Sequence, residues 1–229
     1  MRTLTAIGHR GDPYVARENT LPSLRSAFAR GADAVEVDVR VTRDGVPVLL
    51  HDEDLHRLWG FGVRLDEMTA AQLRELTAGQ VPTLREALMA TGAGRVMIDL
   101  PGAAPEAVRT VVGLVRECGA RERASYCAGA DTMLAVRAAD PGAEIAMTWT
   151  SLCPPRRVLV EAVAPRWLNY RFGLVSRELT DALHADGLLV SAWTADTKRT
   201  MRRLIAAGVD AVTTNRVDAL VAVRAESGR

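Results

Sequence analysis

Residues 34–41 read AVEVDVRV, and their alternation of apolar and charged side chains predicts a β-strand. Successive side chains of a strand point to opposite faces, so Glu36 and Asp38 share one face and the valines share the other. We expect the valines to pack against helices. The two carboxylates then face the opposite side of the sheet, which in a barrel is its interior.

Seven other apolar runs of strand length alternate along the chain with segments of helical period. This βαβα order predicts a parallel sheet. Eight strands in 229 residues fit an α/β fold of the (β/α)8 TIM-barrel type, with residues 1–229 forming a single domain. The alternative is an open, doubly wound sheet, but no G-x-G-x-x-G motif follows the first strand to support a dinucleotide-binding form. The predicted barrel strands are Thr5–His9, Ala34–Val41, Val96–Leu100, Ala124–Cys127, Glu144–Trp149, Trp167–Tyr170, Leu188–Thr194 and Ala211–Asn215.

One segment, at about residues 44–80, interrupts this alternation. Asp44-Gly45 is a tight-turn signal, and the apolar run Val46–Leu50 after it predicts an extended segment that returns toward the barrel. The chain then makes an excursion with a short helix near Ala70–Leu76. About 25 residues are too few for a separate core. We therefore predict a small insertion after the second barrel strand that lies over one end of the barrel.

The composition narrows the range of partners. The formal net charge is +1, so no basic excess indicates nucleic acid, and Lys198 is the only lysine. The three cysteines lack metal-ligand spacing, and no apolar run approaches the ~18 residues of a membrane-spanning helix. We expect a cytoplasmic protein that acts on a small molecule, with no nucleic-acid partner and no integral membrane segment. The sequence predicts no particular oligomeric state.

Three carboxylates fall on neighbouring predicted strands, near the strand ends where barrel active sites lie. Glu36 and Asp38 belong to the second strand, and Asp99 follows the apolar run of the third. Burying such charges is costly unless a cation compensates them. Pairing of Glu36 and Asp38 with arginines is one solution. Three carboxylates on adjacent strands favour the other, a metal site, and oxygen-only ligands favour Mg²⁺ or Ca²⁺ over zinc.

Two histidines accompany the acidic residues. His9 ends the first strand, and His51 follows the returning segment. A single histidine at a strand end is commonly a hydrogen-bonded structural residue, whereas two beside an acidic group favour general acid–base catalysis. His184 lies in a predicted surface helix and His56 at the start of the excursion, and we expect neither to take part in the chemistry.

The residues before the first predicted helix allow two interpretations. Glu18-Asn19-Thr20 precedes Pro22 and a run of helical period, so Asn19 or Thr20 is a candidate N-cap with proline in the first turn. Helix capping does not prevent Glu18 from facing the site.

These residues belong to a series of short motifs that covers nearly the whole chain. In order, the motifs are GHRG (8–11), ENT (18–20), GAD (31–33), EVDV (36–39), TRDG (42–45), HD (51–52), VPTL (81–84), AWTAD (192–196) and GVDAVTTN (208–215). By these motifs the chain resembles the glycerophosphodiester phosphodiesterases. The block that ends at residue 52 is the most specific part of the match, because many spaced residues agree together.

The resemblance implies a TIM barrel, a bound divalent cation, and cleavage of a glycerophosphodiester to glycerol 3-phosphate and an alcohol. In families of this kind the attacking group can be the substrate's own glycerol hydroxyl, which gives a cyclic phosphate that water then opens. The roles that the resemblance implies are acid–base catalysis by His9 and His51, metal binding by Glu36, Asp38 and Asp99, a place beside the phosphate and metal for Arg10 and Glu18, and contact with the glycerol by Trp193. Trp193 can alternatively be an aromatic residue of the barrel core that makes no such contact.

The third strand departs from the family pattern. The family usually has Glu, an apolar residue and Lys there, whereas this chain has Asp99-Leu100-Pro101. Aspartate is one methylene shorter than glutamate, and Pro101 offers no charge to a phosphate. Arg171, after the sixth strand, is a candidate substitute because guanidinium binds phosphate in a bidentate way; otherwise it is an exposed loop residue. The departure leaves two alternatives open, a non-catalytic phosphate-binding homologue and a lyase that releases a cyclic phosphate.

Overall fold

A computed structural model describes residues 4–228 as a closed barrel of eight parallel strands surrounded by helices. The sheet closes because its first strand pairs with the last one, Thr5 opposite Ala211, and with the second one, Ile7 opposite Ala34. The predicted TIM barrel is thereby confirmed, and the open doubly wound sheet is excluded. The strands of the described residues are β1 Thr5–His9, β2 Ala34–Val41, β3 Pro47–Leu49, β4 Asp54–Leu55, β5 Phe61–Arg64, β6 Arg95–Asp99, β7 Ala124–Ala128, β8 Glu144–Trp149, β9 Trp167–Arg171, β10 Leu189–Trp193 and β11 Ala211–Thr214.

Helices follow the barrel strands and cover the outside of the sheet. Three short 3-10 helices lie at Leu65–Glu67, Arg121–Arg123 and Phe172–Leu174. Within residues 4–228, no helix has both the length and the apolar character needed to cross a membrane. The α-helices are α1 Leu21–Ala29, α2 His56–Trp59, α3 Ala70–Leu76, α4 Leu84–Ala90, α5 Pro105–Glu117, α6 Ala130–Ala139, α7 Arg157–Val163, α8 Arg177–Ala185, α9 Lys198–Ala207 and α10 Val217–Glu226.

The apolar and charged side chains of β2 lie on opposite faces of the strand, as the sequence predicts. Val35, Val37 and Val39 are at most 2% exposed and belong to the apolar core that includes the surrounding helices. Glu36 and Asp38 are buried as well, on the other face of the strand. Below them a layer of small and medium apolar side chains fills the barrel interior, formed by Ile7, Ala34, Met97, Cys127, Ala146 and Ala211 with Trp167 packed against it. The barrel is therefore a packed core with a polar upper end.

The predicted insertion after the second barrel strand has internal structure of its own. Strand β3 returns antiparallel to β2, with Val39 opposite Leu49, and β4 and β5 then form a separate two-stranded sheet. Helix α3 follows at the predicted position. A small apolar cluster holds this segment together, made of Val48, Leu50, Leu55, Leu65, Met68, Leu73 and Val81. Because β3 supplies part of this cluster, the insertion is tied to the barrel wall.

The loop between β1 and α1 is held against the start of α1 by a close backbone approach. Gly11 has a φ of +89°, and a Cβ atom there would meet the Ser23 backbone carbonyl carbon at 2.6 Å. In the same turn, Ser23 Oγ donates to Arg10 O and accepts from the Asp12 backbone N–H. Glycine is required at this position for both conformation and space.

Two glycine variants separate these requirements. Gly45 has a similar φ of +82°, but a Cβ atom there would meet no atom of the described residues within 4 Å, its chain neighbours aside. We expect Gly45→Ala to cost about 1 kcal/mol of unfolding free energy from backbone strain alone. Gly11→Ala should cost about 3 kcal/mol, because overpacking adds to the strain. Denaturant unfolding of both variants measures the difference, and equal costs would contradict the crowding at Gly11.

Candidate active site

A cavity of about 250 Å³ opens at the carboxyl ends of the barrel strands. A larger cavity of about 650 Å³ lies at the opposite end of the barrel and contains none of the predicted site residues. Seven of the nine side chains predicted for the site line the smaller cavity, namely His9, Arg10, Glu36, Asp38, His51, Asp99 and Trp193. Pro101, Cys127, Thr148, Asn169 and Thr213 are among its other lining residues. The last four had not been predicted from the sequence as site residues.

The three carboxylates meet because of the register between neighbouring strands. Asp38 lies opposite Asp99 across the β2–β6 ladder, and His9 lies opposite Glu36 across the β1–β2 ladder. Glu36, Asp38 and Asp99 each offer an oxygen within 4.8 Å of the others. Glu36 and Asp38 are 6% and 2% exposed, so this negative charge is almost completely removed from water.

Burial and mutual repulsion destabilise the ionised carboxylates. Burial raises the pKa of Glu36 well above its usual range, and the charges of Asp38 and Asp99 add to the effect. Burial and the charge of Asp38 likewise raise the pKa of Asp99 to about 7. A bound divalent cation relieves both effects, and three oxygen donors are a ligand set that Mg²⁺ and Ca²⁺ accept. The donor set therefore fits such a cation.

Arginine pairing accounts for only part of this charge. Arg10 Nε lies 3.0 Å from Asp38 Oδ2, without the angle of a hydrogen bond. The Arg10 backbone N–H donates to Glu36 Oε2 over 3.0 Å. The positive charges that act on these carboxylates are those of Arg10 and, at Asp99, also of Arg40. Arg10 in addition binds Glu18 over 2.8 Å. Arginine pairing is therefore present, but it leaves an excess of negative charge that a cation could neutralise.

Asn19 holds Asp38 from the other side. Its Nδ2 donates to Asp38 Oδ2 over 2.7 Å, and its Oδ1 accepts from the Asp38 backbone N–H. The residue has a φ of +55°, in the left-handed region that asparagine tolerates better than most residues. Thr20, and not Asn19, is the N-cap of α1. Asn19 is therefore free to orient a carboxylate of the site.

His9 is held by an amide whose orientation is fixed. Asn215 Nδ2 and its backbone N–H each donate to the Asp196 carboxylate over 2.8 Å. Asn215 Oδ1 therefore faces His9 Nδ1, 2.8 Å away, and accepts the proton of that nitrogen. His9 Nε2 is left as the acceptor, 3.9 Å from Glu36. Burial, followed by the charge of Arg10, lowers the pKa of His9, which favours the neutral ring.

His51 has a carboxylate partner instead. Its Nδ1 lies 2.7 Å from Asp52 Oδ1, so Nδ1 donates and Nε2 is directed away from Asp52. Arg57 Nε donates to the other oxygen of Asp52 over 2.6 Å. Arg57 also binds Glu18 over 2.6 Å, and its helix α2 is part of the insertion. The insertion therefore helps to position His51.

Two predicted residues lie outside the cavity lining. Glu18 forms ion pairs with Arg10, which lines the cavity, and with Arg57. Burial acts to raise the pKa of Glu18, but the two arginines outweigh this effect and lower the pKa. Arg171 pairs in register with Trp193 and shares the face of Asn169, but its side chain is exposed at the end of β9. Pro101 lines the cavity, and Arg10 is the one lining residue there with a permanent positive charge among the described residues.

Fold and site together define a TIM-barrel protein with a buried acidic centre flanked by two histidines. The model of the glycerophosphoryl diester phosphodiesterase family matches residues 9–219. The chain therefore belongs to this family, and it is an enzyme of the phosphoric diester hydrolase class.

Similar proteins cover nearly the full length of the chain. A glycerophosphodiester phosphodiesterase of Caldanaerobacter subterraneus subsp. tengcongensis is 26% identical over 96% of this chain and 97% of its own. The crystal structure of a putative glycerophosphoryl diester phosphodiesterase from Silicibacter pomeroyi superposes with a TM-score of 0.89, at 24% identity over 99% of this chain and 95% of that one. A phosphodiesterase of Oleispira antarctica, solved in complex with the product sn-glycerol-3-phosphate, gives a TM-score of 0.88 at 21% identity over 96% of each chain. These structures share the fold.

Removing one carboxylate tests the electrostatics of the acidic centre. Because the pKa of Asp99 in the folded protein is about 7, above its unfolded value, the native state holds more protons than the unfolded state between about pH 4 and pH 7. We expect the stability of the metal-free protein to fall as the pH rises through this range. Asp99→Asn should flatten this decline and stabilise the metal-free protein at about pH 8 by roughly 2 kcal/mol.

The same variant should lose most of the stabilisation that Mg²⁺ or Ca²⁺ gives to the unaltered protein. Thermal unfolding in chelator and in excess cation measures both effects. Asp186→Asn is the matched control, because Asp186 is exposed at the end of α8 and lies outside the site. If Asp99→Asn destabilises the metal-free protein at about pH 8, the repulsion described above is wrong.

Proposed function

We propose that the protein is a divalent-cation-dependent phosphodiesterase that hydrolyses glycerophosphodiesters to glycerol 3-phosphate and an alcohol. The observation that carries this proposal is the meeting of three buried carboxylates and two differently partnered histidines in one cavity. Membership of the family supports the substrate class. The product bound to the Oleispira antarctica enzyme supports the choice of glycerol 3-phosphate as the phosphate product.

The acidic centre has a defined place in this reaction. Glu36, Asp38 and Asp99 would hold a Ca²⁺ or Mg²⁺ ion, which when bound polarises phosphoryl oxygens and offsets their charge. Arg10 supplies the cavity's own permanent positive charge, and its ion pair with Glu18 holds the guanidinium in place. Asn19 keeps Asp38 oriented. These contacts pre-organise the site for an anionic phosphodiester.

We assign the role of general base to His9. Its lowered pKa keeps the ring neutral, and Asn215 fixes the tautomer with the proton on Nδ1. The lone pair of Nε2 can then accept the proton of the attacking hydroxyl, which belongs to water or to the glycerol of the substrate. A neutral amide partner suits this role, because it fixes the ring without forming an ion pair at Nδ1.

We assign the role of general acid to His51. Asp52 accepts the Nδ1 proton, so a second proton carried on Nε2 can be given to the leaving alkoxide. The carboxylate offsets the positive charge of the doubly protonated ring. Arg57 holds Asp52 in place through its other oxygen.

Trp193 and Arg171 are proposed contacts of the substrate. Trp193 Nε1 is buried without a hydrogen-bond partner among the described residues, so it can donate to a glycerol hydroxyl. Arg171 lies beside Trp193 on the neighbouring strand with an exposed side chain. This position supports a contact with the substrate at the rim of the cavity.

Substrates with different leaving groups test the assignment of acid and base. We expect His9→Ala and His51→Ala each to lower kcat about 10²- to 10⁴-fold for glycerophosphocholine, whose alkoxide leaves only with a proton. With a glycerophosphodiester of p-nitrophenol, a good leaving group, His51→Ala should regain most of its activity, because no acid is needed. His9→Ala should stay impaired. Steady-state kinetics with added Mg²⁺ or Ca²⁺ gives both comparisons.

His56→Ala is the control for these variants, since His56 is an exposed residue of the insertion. Rescue of His9→Ala instead of His51→Ala would reverse the two roles. A complete lack of turnover by the unaltered protein would favour a phosphate-binding homologue without activity. Phosphorus NMR identifies the product, and a cyclic phosphate that persists without ring opening would make the enzyme a lyase.

A further inference from the structure

We propose that a second cavity beside the active site, which Arg40 lines, receives the alcohol part of the diester and favours alcohols that carry a phosphate or carboxylate. This inference rests on the proposed function, because it names the group that leaves in that reaction. It makes Arg40 a specificity-determining residue of the substrate's alcohol side.

The second cavity has a volume of about 340 Å³ and adjoins the catalytic one. Pro101 lines both, so the two cavities share a wall at the loop after β6. The walls of the second cavity include the end of β2, the loop between β6 and α5, and residues 64–66 of the insertion. The catalytic cavity, at about 250 Å³, has to hold a cation and the glycerol phosphate portion. The alcohol portion therefore needs space outside it, and this cavity provides it.

Arg40 lies on β2 near the acidic centre and lines the second cavity. It lies two residues after Asp38 on the same face of β2, and Asp38 is opposite Asp99 in the neighbouring strand. Pro101 follows Asp99 by two residues, so Arg40 and Pro101 adjoin, and both line the second cavity. The Arg40 side chain is half-buried, which reduces the screening of its charge by water.

The guanidinium of Arg40 is tethered on one side only. Its Nε donates to the His51 backbone carbonyl over 2.8 Å. Within residues 4–228 its two terminal nitrogens have no hydrogen-bond partner, and no carboxylate oxygen lies within 4.0 Å of it. The tether places Arg40 next to the residue that we propose as the acid for the leaving alkoxide. A group attached to that alkoxide would pass close to Arg40.

The other charged residues of the second cavity bind each other. Arg64 pairs with Glu53 over 3.0 Å and with Asp66 over 2.9 Å. Among the described residues, Arg40 is thus the charged lining group whose terminal nitrogens have no partner, and the acceptor that suits a planar guanidinium is a phosphate or carboxylate. Glu53 and Asp66 also line this cavity, but Arg64 binds both, so a quaternary ammonium alcohol meets no unpaired carboxylate of the described residues there. The remaining wall is largely apolar, with Val39, Val41 and Leu100 among its residues.

Three diesters test this preference, namely glycerophosphocholine, glycerophosphoglycerol and glycerophosphoinositol 4-phosphate, whose alcohols are cationic, neutral and anionic. For Arg40→Gln we expect kcat/KM to fall about 10-fold for the anionic diester, the size of a lost charge-assisted hydrogen bond, and to change little for the choline diester. Arg40→Lys should recover part of the loss. Arg43→Gln is the matched control, because Arg43 is exposed on the same segment and lies outside the cavity.

Binding measurements separate this inference from the proposed function. In a His51→Ala background with Mg²⁺, calorimetry should show the added Arg40→Gln change weakening the anionic diester about 10-fold and sparing the choline diester. An unaltered protein that turns over none of the three diesters refutes the proposed function, while the binding ratio still decides the role of Arg40. Equal losses for all three diesters would overturn the inference, and tighter binding of Mg²⁺ alongside them would show that Arg40 acts instead through its charge on Asp99.

Discussion

The structure depends on one costly arrangement, the placement of Glu36, Asp38 and Asp99 within 4.8 Å of one another inside a barrel. Packed strands cannot move such groups apart, so the surrounding residues must compensate their charge. Asn19 and Arg10 provide part of this compensation. Both have positive φ angles, which shows how tightly the loop after β1 is turned toward the carboxylates. The remaining negative charge matches the needs of a divalent cation.

The two histidines of the site have different hydrogen-bond partners, an amide for His9 and a carboxylate for His51. His9 reaches an amide through the closure of β11 against β1, whereas His51 takes its carboxylate from the next residue. A chain of ion pairs from Asp52 through Arg57 and Glu18 then reaches Arg10 and the acidic centre. Because Arg57 belongs to the insertion, the insertion contributes to the positions of the site residues.

Much of this arrangement could be predicted from local patterns in the sequence. The alternation in residues 34–41 predicted both the strand and the inward carboxylates, and each predicted barrel strand ends within one residue of the observed one. The pairing of His9 with Asn215 could not be predicted in the same way, because the two residues are 206 positions apart and meet only through barrel closure. The unpaired terminal nitrogens of Arg40 in the described structure could not be predicted either, since they depend on Arg64 binding Glu53 and Asp66.

The proposed mechanism requires above all that the three carboxylates form the site of a divalent cation. Anomalous diffraction from a crystal soaked in Mn²⁺, which accepts the same oxygen ligands as Mg²⁺ and Ca²⁺, tests this requirement directly. We predict one strong peak about 2.0–2.6 Å from oxygens of Glu36, Asp38 and Asp99. A crystal that binds Mn²⁺ only elsewhere, or that shows no peak between these carboxylates at saturating Mn²⁺, would contradict it.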